Sequence, residues 1–190
     1  MNNLTKISNC DCEYEIDFSP YIADFLEDKN LIISIDPRKI RFSADRIESL
    51  NLVSDGGLIR HVIYDLSFQI LALRCDGKTI GVFDVNDIVV INANIFLFNN
   101  PALIYDLDMA GCFVVDKKYS NSTSTMLLSP ELLGASIGDR VFYTSIYYSL
   151  GMLILYVFDI TIERLYYTGE YFFIKKIMNE DPRCRRIMYV

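Results

Sequence analysis

The sequence predicts an α+β fold that is mainly helical. Two long apolar segments carry this prediction: Leu58 to Cys75 repeats apolar side chains at three- and four-residue spacing, and Val141 to Phe158 contains no formal charge. Between them lie short β-like runs on either side of Asn99-Asn100-Pro101, a turn sequence of the kind that joins hairpin strands. We therefore expect a small β-hairpin and, from the second apolar segment, a central buried helix.

The chain is expected to divide near residue 55 while forming one compact unit. Residues 1–54 contain one short β-like run, Leu31 to Ile35, and a candidate helix start at Ser43 or Asp45. Residues 55–190 follow Asp55-Gly56-Gly57 and contain the longer periodic segments. A chain of 190 residues is long enough for one domain with a substantial core, and too short for two comfortable ones.

Turn-forming residues and the spacing of apolar residues predict the elements after residue 55. In the helix Leu58 to Cys75, Arg60, Asp65 and Gln69 fall on faces other than the apolar one, and Asp76-Gly77-Lys78 predicts its end. Three β-like runs come next, of which the last two are expected to pair as the hairpin: Thr79 to Phe83, Asn94 to Phe98 and Ala102 to Tyr105. A polar loop then reaches about Met126, and two further helices are expected after the central one: Ile160 to Tyr167 and Glu170 to Met178.

Composition excludes several classes of protein. A hydrophobic content of 52% and a mean hydropathy of +0.23 argue against a disordered chain, because such chains cannot bury enough apolar surface to offset the ordering entropy. A net charge of -7 argues against non-specific nucleic-acid binding, which needs a basic surface. Five scattered cysteines and a single histidine argue against a disulfide framework, a structural zinc site and a Ser-His-Asp mechanism. The first residues lack the apolar core of a signal peptide, so we expect an intracellular, cytoplasmic protein.

The segment Val141 to Phe158 leaves a membrane alternative open. Its 18 residues meet the bare length criterion for a spanning helix. Its four tyrosines and the mixed charges that flank it favour a buried helix in a water-soluble core instead. A structural or membrane-associated protein that uses this segment is therefore the minor alternative.

Several short motifs occur in a fixed order along residues 55–190. They are Asp87-Ile-Val-Val-Ile-Asn92, Asp106-Leu107-Asp108, Ser129-Pro130-Glu131, Tyr148-Ser149-Leu150-Gly151 and Asp181-Pro182-Arg183-Cys184-Arg185. Their order resembles that of the C-terminal lobe of a protein kinase, where an Asp-x4-Asn catalytic loop precedes Asp-Phe-Gly and Ala-Pro-Glu. The resemblance implies a fold like a kinase C-lobe, with residues 1–54 as a remnant of, or replacement for, the N-terminal lobe. The richness in Ile, Asn and Tyr would suit an AT-rich genome such as that of a large DNA virus, and hence the host cytoplasm.

The resemblance also implies roles for individual residues. Asp87 would be the degenerate catalytic aspartate, with Asp84 as a less favoured rival, and no cofactor-binding residue is identified. Asn92 and Asp106 would be the metal ligands, with Asn94 as a rival for Asn92. A structural ion pair is expected between Glu131 and Arg185. The serines and threonines of Ser120 to Thr125 would lie in an exposed loop and are expected to be unmodified.

Departures from the kinase pattern predict a loss of phosphoryl transfer. The first glycine is Gly56, so no glycine-rich phosphate loop precedes the helix, and neither Lys6 nor Lys29 lies in a convincing lysine strand. Asp108 replaces the glycine of Asp-Phe-Gly, with a loss of backbone freedom. We therefore expect an inactive, kinase-like (pseudokinase) module that binds a protein, inhibiting or mimicking a protein kinase, with the kinase or its regulator as partner and without a cofactor. The alternative is an atypical phosphotransferase that retains Mg-ATP binding.

Overall fold

The first fifty residues build a four-stranded antiparallel sheet and one helix. A computed structural model describes residues 4–7, 12–17, 19–50, 55–116 and 127–188. The strands, in the order β1-β2-β4-β3, are β1 (Thr5–Lys6), β2 (Glu13–Asp17), β3 (Ile32–Ile35) and β4 (Lys39–Ser43). Helix α1 (Pro20–Asp28) lies between β2 and β3 in sequence; proline at its first position suits a helix start, and Asn30 ends it in a left-handed conformation with φ 56°.

Helix α2 (Ile59–Cys75) connects this sheet to the rest of the molecule. It follows a 3₁₀ turn at Gly56–Leu58, where the side chain of Asp55 accepts a hydrogen bond from the amide of Gly57. It packs against α1 and against the strands that follow it. The other strands of the described ranges form three small antiparallel sheets. One contains β5 (Ile47–Ser49), β7 (Ile88–Ile91) and β8 (Ile95–Phe98). The second pairs β6 (Lys78–Ile80) with β9 (Ile104–Asp106), and the third pairs β10 (Cys112–Val114) with β11 (Arg140–Phe142).

Helix α4 (Ser145–Val157) is the most buried helix of the C-terminal part. Side chains on all its sides are buried, including Ile146, Leu150 and Ile154, which have no exposed surface. The two other helices here are α3 (Pro130–Gly134) and α5 (Gly169–Ile177), and 3₁₀ turns occur at Ile162–Leu165 and Pro182–Cys184. Among the residues that the structure describes, no helix is both long and apolar enough to cross a membrane. The apolar segment 141–158 is instead shared between β11 and α4.

The prediction of a mainly helical fold like a kinase C-lobe with one small hairpin is wrong. The described part of the chain contains eleven strands in four small sheets, and the largest sheet lies in the first fifty residues. The β-like run predicted at Leu31 to Ile35 is β3, whereas β1, β2 and β4 were missed. Glu-Tyr-Glu-Ile-Asp of β2 does alternate polar and apolar residues, but only five residues carry the pattern. The helix predicted to start at Ser43 or Asp45 is also wrong, since Ser43 ends β4 and β5 follows.

The predicted hairpin is wrong in its pairing. Asn99-Asn100-Pro101 does form a turn, but the two strands beside it do not pair with each other. β8 pairs with β7, and β9 pairs with β6, both antiparallel. The turn therefore carries the chain from one sheet to another and brings Asn99 and Asn100 back to the residues before β7.

A single hydrophobic core joins the two parts of the chain. Ile16, Phe25 and Phe42 from the first part belong to the same buried cluster as Leu66 and Ile154 from the second. The helix predicted at Leu58 to Cys75 is confirmed to within one residue. Its polar residues Asp65 and Gln69, which were expected on other faces, are instead buried.

Candidate functional site

Asp84 and Asp87 form a closed turn before β7. The side chain of Asp84 accepts a hydrogen bond from the amide of Asn86 at 3.2 Å, and Oδ2 of Asp87 accepts one from the amide of Asp84 at 2.8 Å. This reciprocal pattern is a capping box around the 3₁₀ turn Val85–Asp87. Asp87, the predicted catalytic aspartate, therefore stabilises a turn with one of its two oxygens.

Asn99 and Asn100 approach this turn from the connection between β8 and β9. Nδ2 of Asn100 donates a hydrogen bond to Oδ1 of Asp87 at 2.7 Å, and the amide of Asn99 donates to the carbonyl of Asp87 at 2.9 Å. The Asn99 side chain is completely buried, and neither of its polar atoms has a hydrogen-bond partner in the described ranges. Sequence reasoning missed both asparagines, because their approach depends on strand pairing that the sequence does not reveal.

Asn92 lies at the other end of β7. Its Oδ1 accepts hydrogen bonds from the amides of Asp45 at 2.8 Å and Arg46 at 3.3 Å, which fixes the chain just before β5. A strand rises about 3.3 Å per residue, so roughly 15 Å separates Asn92 from Asp87. The rival residue, Asn94, is exposed in the same turn. The structure therefore does not bring the catalytic candidate and this metal-ligand candidate together.

Asp106 ends β9 on a different sheet. It lies opposite Lys78 in β6, and Nζ of Lys78 is 2.6 Å from its Oδ1. The Asp106 side chain is 86% exposed, so its second oxygen faces water. Within the ranges that the structure describes, no three His, Cys, Asp or Glu side chains form a group that could hold a metal ion.

Glu131 and Arg185 meet in a bidentate ion pair. Nη1 and Nη2 of Arg185 donate to the two carboxylate oxygens of Glu131 at 2.9 and 2.7 Å. Arg185 follows the 3₁₀ turn Pro182–Cys184, its side chain is fully buried, and its Nε donates to the carbonyl of Asn179. Ser129, the N-cap of α3, positions Glu131 in the first turn of that helix.

The ion pair with Arg185 lowers the pKa of Glu131. Burial by itself raises the pKa of the carboxyl, but the hydrogen bonds from Arg185 outweigh that effect and hold the pKa below its ordinary value. The carboxylate is therefore fully ionised at neutral pH, and the buried guanidinium is compensated. The pair holds α3 against the segment after α5.

Another ion pair, which sequence reasoning missed, joins the two parts of the chain. Nζ of Lys29, at the end of α1, is 2.9 Å from Oδ1 of Asp65 in α2, whose side chain is only 2% exposed. The other oxygen of Asp65 accepts a hydrogen bond from the amide of Phe96 in β8. No local spacing signals this ion pair, because Lys29 and Asp65 are far apart in the sequence.

Aromatic side chains are exposed around the start of α5. Tyr167 is 97% exposed, Phe172 is 65% exposed, and Tyr166 and Met188 are also exposed. The rings of Tyr166 and Tyr171 are 4.9 Å apart, edge to face, which fixes this group against α5. We call Tyr166, Tyr167, Phe172 and Met188 the aromatic surface.

The polar loop Ser120 to Thr125 lies outside the described residues. Among the residues of the short motifs, Arg185 pairs with Glu131, and its guanidinium lies 4.9 Å from the centre of the Tyr148 ring. A comparison of the sequence with protein-family models and with curated proteins finds no match.

Proposed function

We propose that this protein is a catalytically inactive module that acts by binding another protein, with a protein kinase or a kinase regulator as the partner. The aromatic surface is the observation that carries the proposal. Exposed aromatic side chains are costly to leave in water, and tyrosine is among the residues that dominate binding energy at protein interfaces. The proposal includes a cytoplasmic location, where the scattered cysteines would stay reduced.

The positions of the predicted catalytic residues favour binding over phosphoryl transfer. Transfer depends on a metal ion and an aspartate that are held near one another around the phosphate. Here Asp87 stabilises a turn, Asn92 holds backbone amides at the far end of β7, and Asp106 pairs with Lys78 on another sheet. By contrast, the pair between Glu131 and Arg185 supports the packing of the segments that precede and follow α5.

The charge beside the aromatic surface fits a partner with acidic groups at the rim of its interface. Lys175 and Lys176 lie in the last turn of α5, and both line a groove with Phe172 and Met188 in which Glu180 is the one acidic residue. Neither lysine forms an ion pair with a residue of the described ranges. Rim charges of this kind accelerate association more than they increase affinity.

The test is an inhibition assay with a panel of purified protein kinases. We expect the protein to form a complex with at least one kinase and to change its activity. The double variant Tyr167→Ser/Phe172→Ser should weaken this effect by about tenfold or more, because two aromatic contacts are lost. A matched control is Met109→Ser/Leu133→Ser, which removes two exposed apolar side chains elsewhere. No complex with any kinase, or equal losses in both double variants, would contradict the proposal.

A second candidate function is residual Mg-ATP binding, and the buried Asn99 beside Asp87 favours it. An unpaired buried amide is costly and needs an explanation, such as a bound water or ion or a catalytic role. Saturating Mg-ATP, at about 100 times its Kd, would raise the midpoint of thermal unfolding by roughly 5 to 10 °C. A shift that Asn99→Ala abolishes and Asp106→Ala leaves intact would place the nucleotide at the turn before β7. The absence of a shift would leave protein binding as the function.

A further inference from the structure

A pocket of about 500 Å³ opens between the end of α2, the start of α4 and the segment after the last 3₁₀ turn. This volume is in the range that holds small organic ligands. The residues that matter for its chemistry are Arg74, Tyr143, Tyr147, Arg183, Arg186 and Ile187. We call it the arginine pocket.

The arginine pocket is basic in a protein whose net charge is -7. Four arginines and no acidic residue line it. Arg185 is neutralised by Glu131, but Arg74, Arg183 and Arg186 form no ion pair with any residue of the described ranges. Three uncompensated guanidinium groups at one place attract an anion with more than one negative charge.

The floor of the pocket contains a buried tyrosine hydroxyl. The Tyr147 side chain is 1% exposed, and its hydroxyl makes no hydrogen bond of good geometry in the described part of the chain, although Arg74 and Tyr143 lie close enough to interact with it. Burial raises the pKa of Tyr147 to about 12, so this hydroxyl keeps its proton at neutral pH. Thr144, the N-cap of α4, does not cap the helix with its side chain, because its hydroxyl donates to the carbonyl of Pro182. Because Thr144 and Tyr147 both line the pocket, the start of this 13-residue helix borders it.

The walls are aromatic and apolar. The guanidinium of Arg74 lies 4.6 Å from the centre of the Tyr143 ring, and that of Arg183 lies 6.0 Å from the centre of the Phe142 ring. These rings hold the arginines without neutralising them. Leu71 and Ile187 add aliphatic surface. A bare inorganic ion would leave this surface and most of the volume unused.

We propose that the arginine pocket binds a phosphate monoester whose organic part is a flat aromatic ring. The phosphate would meet the three unpaired arginines, the Tyr147 hydroxyl and the start of α4, and the ring would lie against Tyr143 and Ile187. The same chemistry occurs in a phosphotyrosine side chain and in a nucleoside monophosphate. The inference does not depend on the proposed function.

Calorimetric titration of the full chain with phenyl phosphate tests the chemical class. We expect phenyl phosphate to bind at least about tenfold more tightly than inorganic phosphate or benzoate, because only phenyl phosphate offers both the ring and the dianion. Benzyl alcohol, which lacks the charge, should not bind. No binding of phenyl phosphate at concentrations on the order of 10 mM, or equal binding of benzyl alcohol, overturns the proposal.

Variants locate the site and separate binding from folding. Arg74→Gln and Tyr147→Phe should each weaken phenyl phosphate binding by about tenfold, since each removes one donor. Tyr147→Phe should change the unfolding midpoint little, because the hydroxyl makes no hydrogen bond of good geometry in the free protein. Arg164→Gln is the control, an exposed arginine outside the pocket with the same change in charge. If Arg164→Gln weakens binding as much as Arg74→Gln, or if folded Tyr147→Phe binds normally, the proposal is wrong.

Two further ligands identify the source of the phosphate. Tighter binding of a phosphotyrosine peptide than of adenosine 5′-monophosphate supports a site for a modified protein segment. The reverse order supports a nucleotide site. If neither ligand competes with phenyl phosphate, a phosphate monoester of this class is not the ligand and the proposal fails.

Discussion

At the scale of single residues, the turn between β7 and β8 stores strain at an alanine. Its central residues Asn92 and Ala93 have φ of 51° and 66°, the left-handed region that is typical of a type I′ turn. Asparagine adopts this region readily, whereas alanine does so at a cost of roughly 1 to 2 kcal/mol. Asn92 therefore suits this position, because asparagine tolerates the left-handed backbone and its side chain is hydrogen-bonded. Ala93 has neither advantage.

Replacing Ala93 with glycine should stabilise the protein. The relief of strain exceeds the added entropy of the unfolded chain, so we expect a gain of about 0.5 to 1 kcal/mol in the free energy of unfolding, measured with urea. Ala135→Gly is the control, since φ is -76° there and glycine brings only the entropic loss. A lower urea midpoint for Ala93→Gly than for the wild type would refute this reading of the turn.

The ion pair of Glu131 predicts how stability changes in acid. The pKa of Glu131 is lower in the folded state than in the unfolded state, so its contribution is fully present above the unfolded value of about 4.3. It is lost as pH falls through the lowered pKa of the folded state. Removing one member of a buried pair costs about 3 to 5 kcal/mol of unfolding free energy. We expect the cost of Glu131→Gln to lie at or below the lower end of this range, because Glu131 is partly exposed and Gln keeps one acceptor.

Urea unfolding at pH 7 and pH 3 measures this contribution. The difference in unfolding free energy between the wild type and Glu131→Gln should be largest at pH 7. It should shrink at pH 3, which is below the pKa of the unfolded state, because proton uptake by the carboxyl then favours the unfolded chain. Glu27→Gln is the control, an exposed glutamate of α1 without an ion pair in the described ranges. A difference that stays constant with pH would show that the pair does not act through charge.

At the scale of elements, two side chains of α2 take the place of a strand beside β8. Gln69 donates from Nε2 to the carbonyl of Phe96 at 2.8 Å and accepts at Oε1 from the amide of Phe98 at 2.9 Å. Asp65 accepts from the amide of Phe96. The outer backbone groups of β8 are thereby satisfied inside the core, where an unpaired group is costly.

Gln69→Leu should therefore destabilise the protein by about 2 to 5 kcal/mol, since two buried backbone groups lose their partners. Ser67→Ala on the same helix is the matched control. The Ser67 hydroxyl is also buried but has no hydrogen-bond partner in the described residues, so its removal should be neutral or stabilising. Equal losses in the two variants would mean that side-chain packing, not hydrogen bonding to β8, explains the effect.

Elements with a strong local pattern were predictable, and strand pairing was not. The repeat of apolar residues identified α2, and the helix predicted at Glu170 to Met178 is confirmed as α5 within about one residue. The helix predicted at Ile160 to Tyr167 is wrong, since the chain forms only a 3₁₀ turn at Ile162–Leu165 there. The hairpin failed because turn chemistry fixes where the chain bends but not which strands pair. Residues of β8 and β9 find their partners in β7 and β6, which precede them in the chain.

The candidate sites were predictable only where a motif links two residues. Glu131 and Arg185 were paired by the kinase resemblance, and the structure brings them together. The contact between Asn100 and Asp87 depends on the register of β7 and β8, and the arginine pocket combines residues more than a hundred positions apart. No local spacing signals such sites in a single sequence.

At the scale of the whole molecule, one core predicts one unfolding transition. The first sheet and the later helices share their buried cluster, and the buried pair of Lys29 and Asp65 joins them. Hydrogen exchange should therefore give the same opening free energy for slow amides in β4, such as Phe42, and in α4, such as Ile154. Opening of β4 at a free energy about 2 kcal/mol or more below that of α4 would show that residues 1–54 are a separate unit.

The helix side chains beside β8 also bear on how the protein behaves in a crowded solution. β8 reads Ile-Phe-Leu-Phe and lies at the rim of its sheet, and uncharged aromatic and β-branched segments of this kind can recruit strands from other molecules. Because Gln69 and Asp65 occupy the rim, no second chain can add to it while α2 is in place. Self-association through this strand thus requires α2 to detach first, which ties the solubility of the protein to the stability of a single helix.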